Sequence, residues 1–389
     1  MEELKDAGPS TIQKTARAAI RKTRRKNADD VGDVFDAEEI AALRASLLAW
    51  YELNRRDLPW RRTRDPYAIW VSEIMLQQTR VAAVVGRYEA FLLKFPSIEE
   101  LAWADEANVL TLWSGLGYYR RARMMHKTAK AVTEEQNGIM PQSAVGLRTL
   151  PGIGAYTSAA IASIAYGEPV AVVDGNVERV VQRLAGWGSE SRTGQAELDR
   201  NTLNLANALL DPAHPGEFNQ AMMELGATVC LPKSPKCLIC PVEGFCATRG
   251  EHPTRKRARM RSQEAAYALA IRSRGRHREV LLDQRAEEQT VMTGMWELPA
   301  LRDTRVEAEH LRMTVRHAIM QVNYYVRIRT VLEEDAEALT VSSELRRWVR
   351  LRDLESLPLT GLARKVLVRA KLPELTPNLP VLEPVAPGE

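Results

Sequence analysis

Residues 150–167 read LPGIGAYTSAAIASIAYG, and the reading of the whole chain starts from them. Pro151 followed by Gly152 and Gly154 marks a tight turn between a short helix and a longer one rich in small residues. Such a turn leaves backbone N–H groups facing outward at a helix N-terminus, where a phosphate can bind. A G-x-G turn can equally be a plain connection between two helices. The next residues, EPVAVVDGNVERVVQRL (168–184), run from an apolar segment into another helix, with Asp174 just before it. Asp174 or Asn176 can serve there as an N-cap, and a carboxylate at a helix N-terminus is stabilised as the anion.

Around this centre the pattern from about Ala37 to Arg249 is helical, with apolar residues three and four apart and breaks at Pro66, Pro96, Pro141, Pro169 and Pro215. One all-α domain is therefore expected over 37–250. The polar, aperiodic residues 1–36 are expected to be a disordered basic arm and 251–265 a basic linker. From Ala266 the period changes to two: AYALAIR and EVLLDQR alternate around SRGRH, and VNYYVRIRTVL is a further β-branched and aromatic run. An α+β domain is expected over 266–372, then a Pro-rich tail over 373–389.

Within DPYAIWVSEIMLQQT (65–79), Asp65 can cap a helix whose first turn contains Pro66. Glu73 then has Ile69, Trp70, Leu76 and Gln77 as its neighbours one turn away and no basic residue to pair with along the helix. If that face is buried, the carboxyl holds its proton near neutrality; if it points to water, it is an ordinary glutamate. Together with Asp174 the chain offers one acid suited to stay protonated and one to stay ionised, the division of labour by which glycosyl bonds are broken.

All four cysteines lie within CLPKSPKCLICPVEGFC (230–246). A chain of 389 residues, 45% hydrophobic, needs no disulfides in place of a core. With no N-terminal signal and no membrane-length apolar run, a soluble, cytoplasmic protein is expected. The spacing C-x6-C-x2-C-x5-C of Cys230, Cys237, Cys240 and Cys246 reads as one metal site with four thiolate ligands. Zinc and an iron–sulfur cluster both accept such a set; the single close pair leans towards the cluster. Net charge is +4, with basic runs over 14–26 and 249–261 that are either solvated segments or polyanion contacts.

The phrases VSEIMLQQT, LWSGLGYYRRAR, LPGIGAYTSAA, VVDGNVERV and FNQAMMELG, followed by the cysteine loop, resemble the helix-hairpin-helix DNA glycosylases with an iron–sulfur cluster. Within that superfamily the resemblance is to adenine DNA glycosylases of the MutY type, over roughly residues 40–250. It implies a 4Fe–4S cluster on the four cysteines, with Lys233 and Lys236 in the loop between them as phosphate contacts. It also implies that Glu73 protonates adenine, that Asp174 stabilises the sugar cation, and that Tyr156 and Asn176 orient these two. By the same resemblance Trp60, Arg61, Leu76 and Gln220 enclose the extruded base, while Gln78, Thr79, Leu116 and Tyr118 enter the duplex or face the opposite base. The endonuclease III type carries a nucleophilic lysine two residues after the second hairpin glycine. This chain has Tyr156 there, which cannot form an imine, so base removal without a lyase step is expected.

GMWELP (294–299) and RHAIMQVNY (316–324) resemble the NUDIX-like module that reads 8-oxoguanine in this family. His317 matches, whereas Ile319, Met320 and Gln321 replace the usual Phe-Ser-His, and no nucleotide-hydrolase box is present. The implied partner is duplex DNA with an adenine mispair, bound by a monomer in the cytoplasm, associated with the nucleoid in a bacterium. Two rivals remain at this level: a bifunctional glycosylase/lyase for oxidised pyrimidines, and a non-catalytic DNA-binding protein with a redox-sensing cluster.

Overall fold

The computed structural model of the protein describes residues 34–187, 195–251, 260–286, 292–319 and 322–372. The basic arm up to residue 33, most of the expected linker, Met320, Gln321 and the Pro-rich tail lie outside the described residues. The helices run α1 (Ala37–Asn54), α2 (Pro66–Leu76), α3 (Val81–Lys94), α4 (Ile98–Trp103), α5 (Glu106–Trp113) and α6 (Arg120–Gln136). They continue as α7 (Ala144–Leu147), α8 (Ala155–Tyr166), α9 (Gly175–Ala185), α10 (Gln195–Leu209) and α11 (Pro215–Thr228). A mixed β-sheet region with further helices follows, so the helical stretch and the change of period near residue 266 are both realised. The chain divides into two compact units, one holding residues up to Glu73 and Met140–Lys256, the other Ile74–Ile139 and Arg257 onward.

In the first unit α1 starts with a capping box: Asp36 accepts from Glu39 N at 2.8 Å and the Glu39 carboxylate accepts from Asp36 N at 3.2 Å. Val34 and Phe35, just ahead of this cap, are buried, so the core begins inside the stretch read as a disordered arm. Leu43, Leu47 and Tyr51 of α1 meet Val177, Val180, Val181 and Leu184 of α9 and Phe218, Met222 and Leu225 of α11 in one cluster. The three- and four-residue spacings put each set on one helical face, and each side chain so buried contributes about 1.5–3 kcal/mol. At Gly226 of α11 an added Cβ would lie 2.6 Å from Asn176 Cβ, so only glycine lets α11 approach the start of α9 this closely.

In the second unit the sheet comprises β1 (Arg261–Arg274), β2 (His277–Gln284), β3 (Trp296–Glu297), β4 (Leu311–Ile319), β5 (Val322–Val331) and β6 (Arg346–Arg350). The path is β3-β2-β1-β5-β4, with β6 on β2. β1 changes partner along its length: Arg261 to Ala270 run parallel to β5 and Ile271 to Arg274 antiparallel to β2. Its side chains alternate between two cores. Leu269 joins Val280, Val326 and the helix α13 (Gly361–Arg369); Ala266, Ala268 and Ala270 join Leu281, Leu301 and Ala336 of α12 (Ala336–Leu339). A strand covered on both faces reads as nearly continuous apolar sequence, as AYALAI does.

Candidate active site

The site of the first unit begins at Asp65, whose carboxylate accepts from Tyr67 N at 3.0 Å and Ala68 N at 3.3 Å. That cap launches α2 into the core with Ile69, Trp70 and Val71 buried. Two turns on, Glu73 is only 5% exposed. Its Oε2 accepts a 2.6 Å hydrogen bond from the Tyr156 hydroxyl, and its Oε1 accepts none among the described residues. Burial drives the Glu73 carboxyl up from an ordinary 4.5 to about 7; the Tyr156 bond and the Arg61 charge pull the other way and the Asp174 charge adds to the rise. Near neutrality this carboxyl is therefore divided between acid and anion, with one oxygen open to a ligand. Burial, and then the charge of Glu73, hold the Tyr156 phenol far above its usual range, so it acts as a donor and not as a base.

Tyr156 stands in the first turn of α8, directly after the turn at Gly152 and Gly154. Gly152 takes the left-handed conformation, with φ +75°, that this turn requires. Gly154 is the N-cap of α8 and supplies no side chain, and both glycines are exposed, leaving the start of the helix open.

Asp174 caps α9: Oδ1 accepts from Asn176 N at 2.9 Å and Val177 N at 2.7 Å, and Oδ2 from Asn176 Nδ2 at 2.8 Å. Asn176 thus holds the Asp174 carboxylate through both its backbone and its side-chain amide. It is fixed in turn by Arg179, which the sequence did not single out. The Arg179 guanidinium donates to Asn176 Oδ1 at 3.0 Å, Gly226 O at 2.7 Å and Cys230 O at 2.8 Å, so one side chain ties the capping pair to the cysteine loop.

Gln220 on α11 accepts from the Tyr51 hydroxyl at 2.9 Å through its Oε1. Trp60 is buried in a short turn before α2, and Leu76, at the end of α2, is half-buried. Arg61, expected as a wall of the base pocket, spends its guanidinium on Glu224 at 2.7 Å and on the Arg56 carbonyl at 3.1 Å. Arg56 grips the same carboxylate with two bonds of 2.7 Å. Burial opposes charge on Glu224, but the hydrogen bonds from Arg56 and Arg61 outweigh it and hold the carboxyl at about 2. Arg61 therefore meets a fixed anion, and it lines a cavity together with Tyr51, Arg55, Arg64 and Gln220.

The four cysteines are unpaired thiols and line one cavity with Arg183, Lys236, Glu243 and Arg249. The Arg183 guanidinium, buried in the same place, donates to Cys230 Sγ at 3.3 Å, and Arg249 N points at Cys246 Sγ at 3.4 Å. Burial pushes the Cys240 thiol up to about 11 and raises that of Cys246, and neighbouring sulfurs add to both. Four thiolates here need positive charge among them. One zinc ion with Zn–S bonds of about 2.3 Å would draw its sulfurs to about 3.8 Å from one another. No three of these sulfurs lie within 4.8 Å of each other, a spread that suits a polynuclear group better than one ion. Lys233 and Lys236 are exposed on the loop between Cys230 and Cys240.

In the second unit Gln78 and Tyr118 are exposed and both take the left-handed conformation, with φ of +54° and +49°, unusual for side chains of this size. Arg121 holds them there. Its guanidinium donates to the carbonyls of Ile74 at 2.6 Å, Gln77 at 2.5 Å, Leu116 at 3.3 Å and Gly117 at 3.2 Å, and to Thr79 Oγ1 at 3.2 Å. It also lies over the rings of Trp113 and Tyr118, 5.4 Å from each centroid. Leu116 itself is buried and contributes its carbonyl to this arrangement. His317 on β4 is half-buried against Gly361; burial, then the Lys365 charge, lowers its pKa.

Comparison with known proteins gives this geometry a family. Residues 71–203 match the HhH-GPD superfamily of base excision DNA repair proteins. An adenine DNA glycosylase of Homo sapiens is 48% identical over 223 residues, which cover 55% of this chain and 40% of that protein. One of Arabidopsis thaliana is 35% identical over 395 residues, covering 89% of this chain and 60% of that protein. The chain thus spans about half the length of these curated relatives. Among solved structures, that of a thermostable thymine-DNA glycosylase aligns with a TM-score of 0.50 at 29% identity, covering 55% of this chain and 97% of that one. Through its helical region the chain is thus similar to the HhH-GPD superfamily of base excision DNA repair proteins and, within it, to adenine DNA glycosylases.

Proposed function

We propose that the protein is a monofunctional adenine DNA glycosylase that removes adenine mispaired with 8-oxoguanine or guanine. The observation that carries this reading is the buried carboxyl of Glu73, poised near neutrality, beside the N-capping carboxylate of Asp174. The adenine leaves the stack, because its glycosidic bond is out of reach inside a duplex. Oε1 of Glu73 passes its proton to the adenine ring, while the Tyr156 bond to Oε2 stabilises the carboxylate left behind. The C–N bond then breaks with its electron pair going to the base. The positive charge left on the sugar is matched by Asp174, whose orientation is set by Asn176 and Arg179, and water completes the hydrolysis. Tyr156 offers no amine, so no imine forms and the strand is left uncut.

Cys230, Cys237, Cys240 and Cys246 would hold a 4Fe–4S cluster. Bound there, the cluster would supply structure, fixing the loop that presents Lys233 and Lys236 to the DNA backbone. His317 would face the oxidised guanine. Incubation with duplexes differing only at the mispair, followed by alkali, tests the reading. Alkali-dependent breaks at adenine opposite 8-oxoguanine or guanine are expected, with no product trapped by borohydride. Intact strands after alkali, from protein with a full complement of iron, would refute it.

A further inference from the structure

Two arginines of the second unit are left without the anion their surroundings call for. Arg87 on α3 lies against the backbone of Gly115, where an added Cβ would fall 2.3 Å from its Nη2. Arg364 stands on α13, one turn after Gly361, against which His317 packs. Between them is Tyr119, almost fully buried, whose hydroxyl donates to Leu359 O at 3.1 Å and so is not free to accept a charge; the charges of both arginines reach it. In each arginine Nε is buried without a hydrogen-bond partner. Neither guanidinium forms an ion pair among the described residues, although Glu355 is within electrostatic reach of Arg364. The charge of Arg364 also acts unfavourably on Arg87. Both residues are half-buried, so an ion arriving from solvent can still meet their terminal nitrogens.

A pair of like charges held together with sealed, unsatisfied donors costs stability unless an anion joins them. The forked guanidinium matches the oxygens of a phosphate. The location says which phosphate. Gly115 is in the loop that carries Leu116 and Tyr118, which the family resemblance implies enter the duplex or face the opposite base, and Gly361 supports His317, which the function proposed above turns to the oxidised guanine. Resting on that reading, we propose that Arg87 and Arg364 clamp one backbone phosphate of the strand opposite the excised adenine.

The test is a scan in which a single uncharged methylphosphonate replaces each phosphate in turn along that strand of an A:8-oxoguanine duplex. Affinity is measured for the full chain and for Arg87→Gln with Arg364→Gln. At one position the replacement should weaken the wild type about tenfold and leave the double variant unmoved. The variant should also show a salt slope shallower by about one. Arg364→Gln alone keeps the test open if the double variant fails to fold, and thermal melting verifies folding. If the wild type releases adenine but no position separates it from the variants, the clamp is wrong and the glycosylase reading stands. If phosphate ions raise the melting temperature of the wild type only, while both proteins bind every duplex alike, the site takes a free phosphate and the DNA assignment is overturned. If the wild type releases no adenine, the reading on which the clamp rests has failed first.

Discussion

Replacing Glu73 with glutamine preserves the shape of the side chain and an oxygen to accept the Tyr156 hydroxyl, while removing both the proton and the charge. The carboxyl moves from 4.5 to about 7 on folding, chiefly through burial. Because the folded value is the higher, the native chain holds a proton that the unfolded chain gives up between these limits. The corresponding stability is complete below about pH 4.5 and is lost as the pH rises through about 7, a total of about 3 kcal/mol. Glutamine has no such dependence. The stability of Glu73→Gln relative to the wild type should therefore increase by about 2 kcal/mol between about pH 5 and about pH 8. Denaturant unfolding followed by circular dichroism at both pH values measures this, and titrating groups remote from Glu73 cancel in the difference. A difference independent of pH to within about 0.5 kcal/mol would refute the buried, proton-holding carboxyl.

Asp174→Asn should bind mispaired DNA and lose base release by about three orders of magnitude in single-turnover assays, since the charge facing the sugar is gone while the cap remains. Arg179→Met should slow base release while keeping the iron content and visible absorbance of the wild type, because it frees Asn176 and gives up only a backbone-carbonyl contact to Cys230, leaving every thiol in place. Arg121→Met should cost about 3 kcal/mol in denaturant unfolding, by stranding the carbonyls of Ile74, Gln77, Leu116 and Gly117. It should also weaken duplex binding through the loss of the left-handed Gln78 and Tyr118. Changing both Lys233 and Lys236 to Ala should flatten the salt dependence of DNA affinity by up to about two.

The sequence made the local features legible. The Asp65 cap, the tight turn at Gly152 and Gly154 and an N-cap at Asp174 or Asn176 each depend on residues only a few positions apart; the fold has the first two and puts the N-cap on Asp174. The apolar neighbours of Glu73 were visible along α2, but whether that face was buried depended on Tyr156, 83 residues away, and only the fold supplies that contact. Arg121, Arg179 and Arg183 escaped notice because their partners are mostly backbone carbonyls, which every residue has. Arg121 and Arg179 do lie within two of the diagnostic phrases, YYRRAR and GNVERV, and that placement was the available signal. The ion pair of Arg61 with Glu224 is not legible locally, because Glu224 sits in a helix much later in the chain. Strand β1 begins at Arg261, within the stretch read as linker, because its first four residues are exposed and polar. Their membership in the sheet rests on backbone pairing with β5, to which hydropathy is blind. Val34 and Phe35 were too short an apolar pair to stand out against a charged arm.

The central claim is that a protonated Glu73 starts the reaction. The rate of adenine release in single turnovers at saturating A:8-oxoguanine duplex, followed from about pH 5 to about pH 9, reports that protonation state. The account predicts a rate that holds on the acid side and falls about tenfold per pH unit above a midpoint near neutrality, with Glu73→Gln inactive throughout. A rate unchanged across the alkaline range, or turnover by Glu73→Gln at the wild-type rate, would contradict it.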